Sequence, residues 1–174
     1  MITIISGTNK KNSLSRVVAS LYYSRLRSMN INTRFLALDD IPYDFVTDTM
    51  YDKKSPSIIK LQEQVFNPTQ KFVFVLPEYN GSIPGVLKLL IDALDVRQAF
   101  EGKKAALTGV ATGRAGNLRG LDHMASILIH MRVTVMPNML PISRVKDELD
   151  IKGELNNPAT EKVVHAHVKS ILEF

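Results

Sequence analysis

Short apolar runs alternate along the chain with stretches whose apolar residues recur at helical spacing, and the sharpest change of pattern falls between Phe72 and Leu94. Lys71 to Leu76 is unbroken and rich in β-branched and aromatic residues, the pattern of a parallel strand covered on both faces. Pro77, Glu78, Tyr79, Asn80, Gly81, Ser82 and Pro84 then stop the strand and leave several backbone N–H groups in need of an acceptor. Ser82 is placed as a helix cap and Pro84 in the first turn, with Leu87, Leu90, Ile91 and Leu94 along one helix face. A loop between a parallel strand's carboxyl end and a helix's amino end is where open α/β sheets bind ligands, although an ordinary connection has the same make-up.

The order of strand, polar loop and helix recurs on either side. Ile2 to Ile5 opens as a strand, and the polar stretch Ser6 to Ser13 leads into a helix with Leu14, Val17, Val18, Leu21 and Leu26 on one side. Thr33 to Leu38 reads as a second strand, Asp39 to Ser55 as irregular, and Pro56 as the opening of a helix carrying Ile58, Ile59, Leu61, Val65 and Phe66. Ala105 to Ala111 is a fourth strand of small residues that leave room for close helix packing; the loop Thr112 to Asn117 and a helix with Leu118, Leu121, Ala125, Leu128 and Ile129 follow. Val133 to Met136 is a fifth strand, Pro137 to Gly153 an irregular return, and Pro158 to Phe174 a closing helix with Val164, Val168, Ile171 and Leu172 inward. The pattern predicts an α/β fold in a single domain over residues 1–174: a doubly wound, flavodoxin-like five-stranded parallel sheet of order 2-1-3-4-5, helices on both faces. In that order the loops after Ile5, Leu76 and Ala111 converge.

Two of these loops carry candidate chemistry of their own. Ser6 to Ser13 sets small polar and cationic side chains at a helix start, where free N–H groups and the dipole favour an anion such as phosphate. It is neither a Walker loop nor GxGxxG, and taken alone it also fits a polar cap with no ligand. Thr112, Gly113, Arg114, Ala115, Gly116 and Asn117 again place two glycines and an arginine at a strand's carboxyl end.

Composition narrows the classes. No cysteine occurs, which excludes disulfides, thiolate metal sites and thiol nucleophiles. The formal charge of +5 comes from basic residues spread along the chain, not clustered with aromatics, so small anionic ligands are expected and nucleic acid is not. No stretch approaches the roughly 18 apolar residues of a membrane span, and no basic leader precedes Ile2. A cytoplasmic protein without membrane partners is expected.

Pro77-Glu78-Tyr79-Asn80-Gly81-Ser82-Ile83-Pro84-Gly85-Val86-Leu87-Lys88 resembles the signature loop of the NAD(P)H-dependent FMN reductases, a flavodoxin-like family with azoreductase and chromate or quinone reductase members. Gly7 to Arg16 is similar to that family's phosphate loop, and Thr112 to Gly116 matches its third loop loosely. The resemblance, which covers nearly the whole chain, implies bound FMN, with NADPH or NADH as co-substrate and a small-molecule electron acceptor. It implies phosphate capture by Thr8, Lys10, Asn12, Ser13 and Ser15, and a loop of Pro77, Glu78, Tyr79, Asn80, Gly81 and Ser82 beside the isoalloxazine, with backbone donors from every residue but the proline. Thr112, Gly113, Arg114 and Gly116 would complete the cofactor contacts, with Arg114 facing flavin, nucleotide or neither. A homodimer or homotetramer is also implied, with the apolar helix after Pro84 offering a contact. Two positions depart: Lys10 stands where arginine is common and lacks its bidentate fork, and Ala93 replaces an aromatic residue.

No protein nucleophile or base is required by this reading, because the flavin carries the chemistry: hydride from the nicotinamide, then electrons to the acceptor. His123 and His130, seven apart, and His165 and His167 lack metal spacing and read as solvated or packed. Asp39, Asp40, Asp147 and Glu148 read as solvated carboxylates, while Glu78 is divided between flavin and a subunit contact. Two other classes stay open on the residues alone. One is an FMN electron carrier without nicotinamide turnover, against which the positive charge counts. The other is a non-redox nucleotide-binding module, for which an acidic pocket after the first strand is missing.

Overall fold

The computed structural model describes residues 1–174. The chain runs β1 (Ile2–Ser6), α1 (Leu14–Ser28), β2 (Thr33–Ala37), α2 (Pro56–Leu61), β3 (Lys71–Pro77), α3 (Gly85–Ala93), α4 (Val96–Ala99), β4 (Lys104–Val110), α5 (Leu118–His130), β5 (Thr134–Val135), β6 (Leu140–Ile142), α6 (Val145–Glu148) and α7 (Pro158–Glu173). A short 3-10 turn, Leu38–Asp40, follows β2, and α2 loosens into a π turn over Gln62–Phe66. The sheet is parallel throughout, in the order β2-β1-β3-β4-β5. No helix is long and apolar enough to cross a membrane.

The unbroken composition of β3 reflects burial on both sides. Phe72, Phe74 and Leu76 enter the larger core layer, with Leu87, Leu90 and Ile91 of α3 and Leu121, Met124 and Leu128 of α5. Val73 and Val75 point into the opposite layer, against Val18, Tyr22 and Leu26 of α1 and Val164, Val168 and Ile171 of α7. Successive strand residues face opposite sides, so one strand serves both layers. The same packing corrects an expectation about assembly. Leu87, Leu90 and Ile91 are almost fully buried within the chain and are not free for a twofold contact; the exposed apolar side chains are scattered, among them Ile59 on α2, Leu118 and Ile129 on α5 and Val163 on α7.

The fifth strand also differs from its reading. Two short segments share its place: Thr134 and Val135 pair with Lys104 and Ala105, and Leu140 to Ile142 pair with Thr108 to Val110. Pro137 has no N–H to give the ladder, so the chain leaves the sheet after the Met136 N–H has bonded the Ala105 carbonyl and rejoins it at Leu140. The return thought irregular from Pro137 to Gly153 thus contains both β6 and α6.

A buried polar chain holds this interruption in place. His167, on α7 and 1% exposed, has its Nε2 2.9 Å from the Asn138 carbonyl and its Nδ1 2.8 Å from the Tyr22 hydroxyl. A carbonyl only accepts, so Nε2 carries the proton; Nδ1 accepts from Tyr22, whose oxygen accepts in turn from Thr108 Oγ1 at 3.0 Å. Burial lowers the His167 pKa from 6.5 to about 4. The unfolded chain therefore binds a proton near pH 6.5 that the folded chain refuses until about pH 4, and stability falls as pH drops through that window. Denaturant unfolding at pH 7 and pH 4 should show the native protein losing on the order of 3 kcal/mol more than a His167→Gln variant. Equal losses in the two proteins would contradict this assignment.

Candidate cofactor site

At the carboxyl ends of β1, β3 and β4 the chain leaves a cleft of about 530 Å³, within the range of small-molecule sites. Its first wall is the β1–α1 loop, contributed by Lys10, Asn12, Ser13, Leu14 and Ser15. Gly7 ends the ladder by donating to the Val75 carbonyl, and Asn12, at φ +55, adopts the left-handed turn that asparagine tolerates. Ser13 then caps α1: its Oγ accepts from the Arg16 N–H at 3.2 Å and from the Ser15 hydroxyl at 3.1 Å. With both bonds received, the Ser13 hydroxyl proton is left to donate elsewhere. The N–H groups of Lys11, Asn12, Ser13, Leu14 and Ser15 donate to no acceptor in the chain.

Thr8 does not reach the cleft surface. It is fully buried, and its Oγ1 accepts from the Lys10 N–H at 3.2 Å and lies 2.9 Å from the Tyr79 hydroxyl. Its part is to tie the first loop to the second.

The second wall consists of Pro77, Glu78 and Tyr79. Tyr79 and Ser82 exchange backbone hydrogen bonds of 3.0 Å around Asn80 and Gly81, at φ +51 and +76. Positive φ at both central positions is the type I′ turn that Asn-Gly favours. The expectation of several free donors in this loop is corrected by these pairings. The Glu78 N–H reaches the Val110 carbonyl, and the Gly81 N–H donates to the Glu78 side chain at 2.7 Å, so Asn80 alone among residues 78–82 keeps a free N–H. Asn80, Gly81 and Ser82 lie outside the cleft lining. Nor does Ser82 cap α3, whose N-cap position is Pro84; the Ser82 hydroxyl instead meets His123 Nδ1 at 2.7 Å.

From the third loop only Thr112 lines the cleft, beside Val110 and Ala111. Gly113 and Arg114 are exposed, and the Arg114 side chain has no hydrogen-bond or ion-pair partner. Gly116, at φ +57, turns away: a Cβ there would lie 2.7 to 2.9 Å from Pro141 and Ile142. On β4, a Cβ at Gly109 would lie 2.1 Å from the Gly116 carbonyl oxygen, so the small residues of this strand admit the loop as well as the helix.

Val145 and Lys146 of α6 complete the cleft and had no signal in the pattern of the chain, because they follow an interrupted strand. Its charge is unbalanced. Lys10 and Lys146 form no ion pair, while the lining carboxylate, Glu78, is engaged with Gly81. Arg16, in contrast, is taken up by Asp39 at 2.6 Å and Asp40 at 2.9 Å; hydrogen bonds to these carboxylates raise its pKa further. The donors without acceptors, the free Ser13 proton and the two unpaired ammonium groups suit a phosphate, and Leu14, Pro77, Val110, Ala111 and Val145 provide apolar wall for the rest of FMN.

The strand order and the placing of the cleft at its switch point define a flavodoxin-like α/β protein. The chain belongs to the NADPH-dependent FMN reductase family, whose model matches residues 1–147. It is 29% identical over 120 residues to an NAD(P)H-dependent FMN reductase of Pseudomonas aeruginosa, an alignment spanning 67% of this chain and 64% of that protein. It is 30% identical over 139 residues to a quinone reductase of Escherichia coli K12, spanning 78% and 72%. The flavoenzyme NAD(P)H:(acceptor) oxidoreductase FerB of Paracoccus denitrificans shares the fold, with a TM-score of 0.79 at 21% identity, covering 99% of this chain and 97% of that one. The protein is an oxidoreductase of the NAD(P)H-dependent FMN reductase type, with FMN as cofactor and NAD(P)H as co-substrate.

The two glycines of the third loop separate by role. Gly113→Ala should leave unfolding free energy within about 0.5 kcal/mol of the native protein, since a Cβ there meets nothing within 4 Å. Gly116→Ala should cost about 3 kcal/mol in urea unfolding through strain and overpacking; equal effects at the two positions would contradict the geometry.

Proposed function

We propose that FMN lies in this cleft with its phosphate against the β1–α1 loop and its ring toward Pro77 to Tyr79 and the loop after β4, and that the enzyme reduces a quinone-type small molecule at the expense of NAD(P)H. The observation that carries this reading is the run of five consecutive N–H groups, Lys11 to Ser15, without an acceptor at the start of a 15-residue helix. Such a run, together with the positive end of the helix dipole, is a site for an anion. Bound FMN supplies the redox chemistry, accepting reducing equivalents from the nicotinamide and releasing them to the acceptor.

The chain's own residues bind and orient. Ser13 gives its free proton to a phosphate oxygen, while Ser15 acts through Ser13, its own proton being already committed. Lys10 adds charge without the two-pronged geometry of arginine. Glu78 acts on the loop and not on the ring: by accepting from Gly81 it stiffens the Asn-Gly turn that sets Tyr79 across from Thr8. Leu14, Val110 and Val145 keep water from the polar contacts, which strengthens them.

The reading is tested by titrating apoprotein with FMN and with riboflavin, followed by NAD(P)H oxidation with benzoquinone as acceptor. Riboflavin should bind at least about 100-fold more weakly, as expected for losing several charge-assisted hydrogen bonds, and quinone reduction should require FMN. Equal affinity for the two flavins would remove the phosphate from this loop.

A further inference from the structure

We propose that Lys146 is a second cationic anchor for the cofactor's phosphate, joining Lys10 in the lining of the cleft; the proposal rests on the reading of the cleft as the FMN site. The segment that carries it is fixed in position. The Arg144 N–H donates to the Gly113 carbonyl at 2.9 Å and the Val145 N–H to the Ala111 carbonyl at 3.0 Å, so the start of α6 is laced to the loop after β4. Val145 is 1% exposed and shares its core layer with Val18 of α1.

Lys146 shares its cavity with Lys10, Asn12 and Ser13 of the β1–α1 loop. Leu14 and Ser15 of α1 and Val145 and Lys146 of α6 line one cavity. The Lys146 ammonium nevertheless forms no ion pair or hydrogen bond, although Asp147 and Glu148 are its neighbours in sequence. An exposed lysine at the mouth of a polar cleft, on a rigid support and without a carboxylate partner, is available to an anionic ligand.

A second cation strengthens the hold on a charged phosphate. A phosphate monoester carries about −1.5 to −2 at pH 7, and a helix start supplies roughly half a positive charge. Lys10 brings one more, as a point charge without arginine's fork. Those two contributions leave the site within about half a charge of neutrality, and Lys146 makes it net positive, which favours the dianion over a neutral ligand.

The test is a set of FMN and riboflavin titrations of apoprotein at low and high salt. It uses the native protein, Lys146→Gln, Lys146→Arg and, as a charge control, Lys60→Gln on the exposed side of α2. Circular dichroism confirms that each variant folds. Lys146→Gln should weaken FMN roughly tenfold, flatten the salt dependence of FMN binding and leave riboflavin within about twofold, with Lys146→Arg restoring FMN and Lys60→Gln matching the native protein. Unchanged FMN affinity in folded Lys146→Gln, or equal losses for FMN and riboflavin, would overturn the role of Lys146 while leaving the cleft assignment intact. If the native protein itself fails to prefer FMN over riboflavin, the cleft assignment falls, and the role of Lys146 with it.

Discussion

A backbone N–H removed from water has to find an acceptor, and the end of β1 is organised around a stretch of chain that finds none. Gly7 makes the last ladder bond, to the Val75 carbonyl, and approaches so closely that a Cβ would stand 3.2 Å from that oxygen and 3.0 Å from Leu76. Beyond it Thr8 is locked under Tyr79, Asn12 turns the chain, and Ser13 spends its oxygen on capping α1. The N–H groups of Asn12 to Ser15, residues that line the cleft, are left without an acceptor in the chain. Most of what surrounds them is explained by the need to keep them there: a buried threonine below, a stiffened Asn-Gly turn across, and cations with no competing carboxylate.

The far side of the cleft depends on the opposite layer of the molecule. Thr108, Tyr22, His167 and the Asn138 carbonyl form one hydrogen-bonded chain from β4 through α1 to α7 and into the break between β5 and β6. That chain fixes where the interrupted edge rejoins the sheet, and β6 in turn delivers α6 to the cleft. A buried neutral histidine thus supports a binding wall from beneath, without touching the ligand. Division of the edge strand also leaves it short, which limits pairing with other chains.

The fold was legible where side chains carry the information. The unbroken apolar run of β3 announced burial on two faces, and the repeated change from strand to helix implied the parallel order that the ladders show. Features decided by the backbone were not legible. Turn formers between Pro77 and Pro84 suggested many free donors, yet Asn80 and Gly81 at positive φ let Tyr79 and Ser82 pair with each other, and the Glu78 side chain took a further N–H. Two prolines, Pro137 and Pro141, hid a strand that pairs only through three residues. Lys146 escaped notice for that reason, and Gly116 drew notice for the wrong one, being required by contact with Pro141 and not by the cleft.

The most direct measurement is the amide proton-nitrogen correlation spectrum of the apoprotein, recorded before and after loading with FMN and, separately, with riboflavin. If the unsatisfied donors are the phosphate cradle, the amide protons of Asn12, Ser13, Leu14 and Ser15 move downfield with FMN and not with riboflavin, as they acquire a charged acceptor. Unshifted amides in the FMN-loaded protein, or the same shifts with riboflavin, would contradict the claim that this loop holds the cofactor's phosphate.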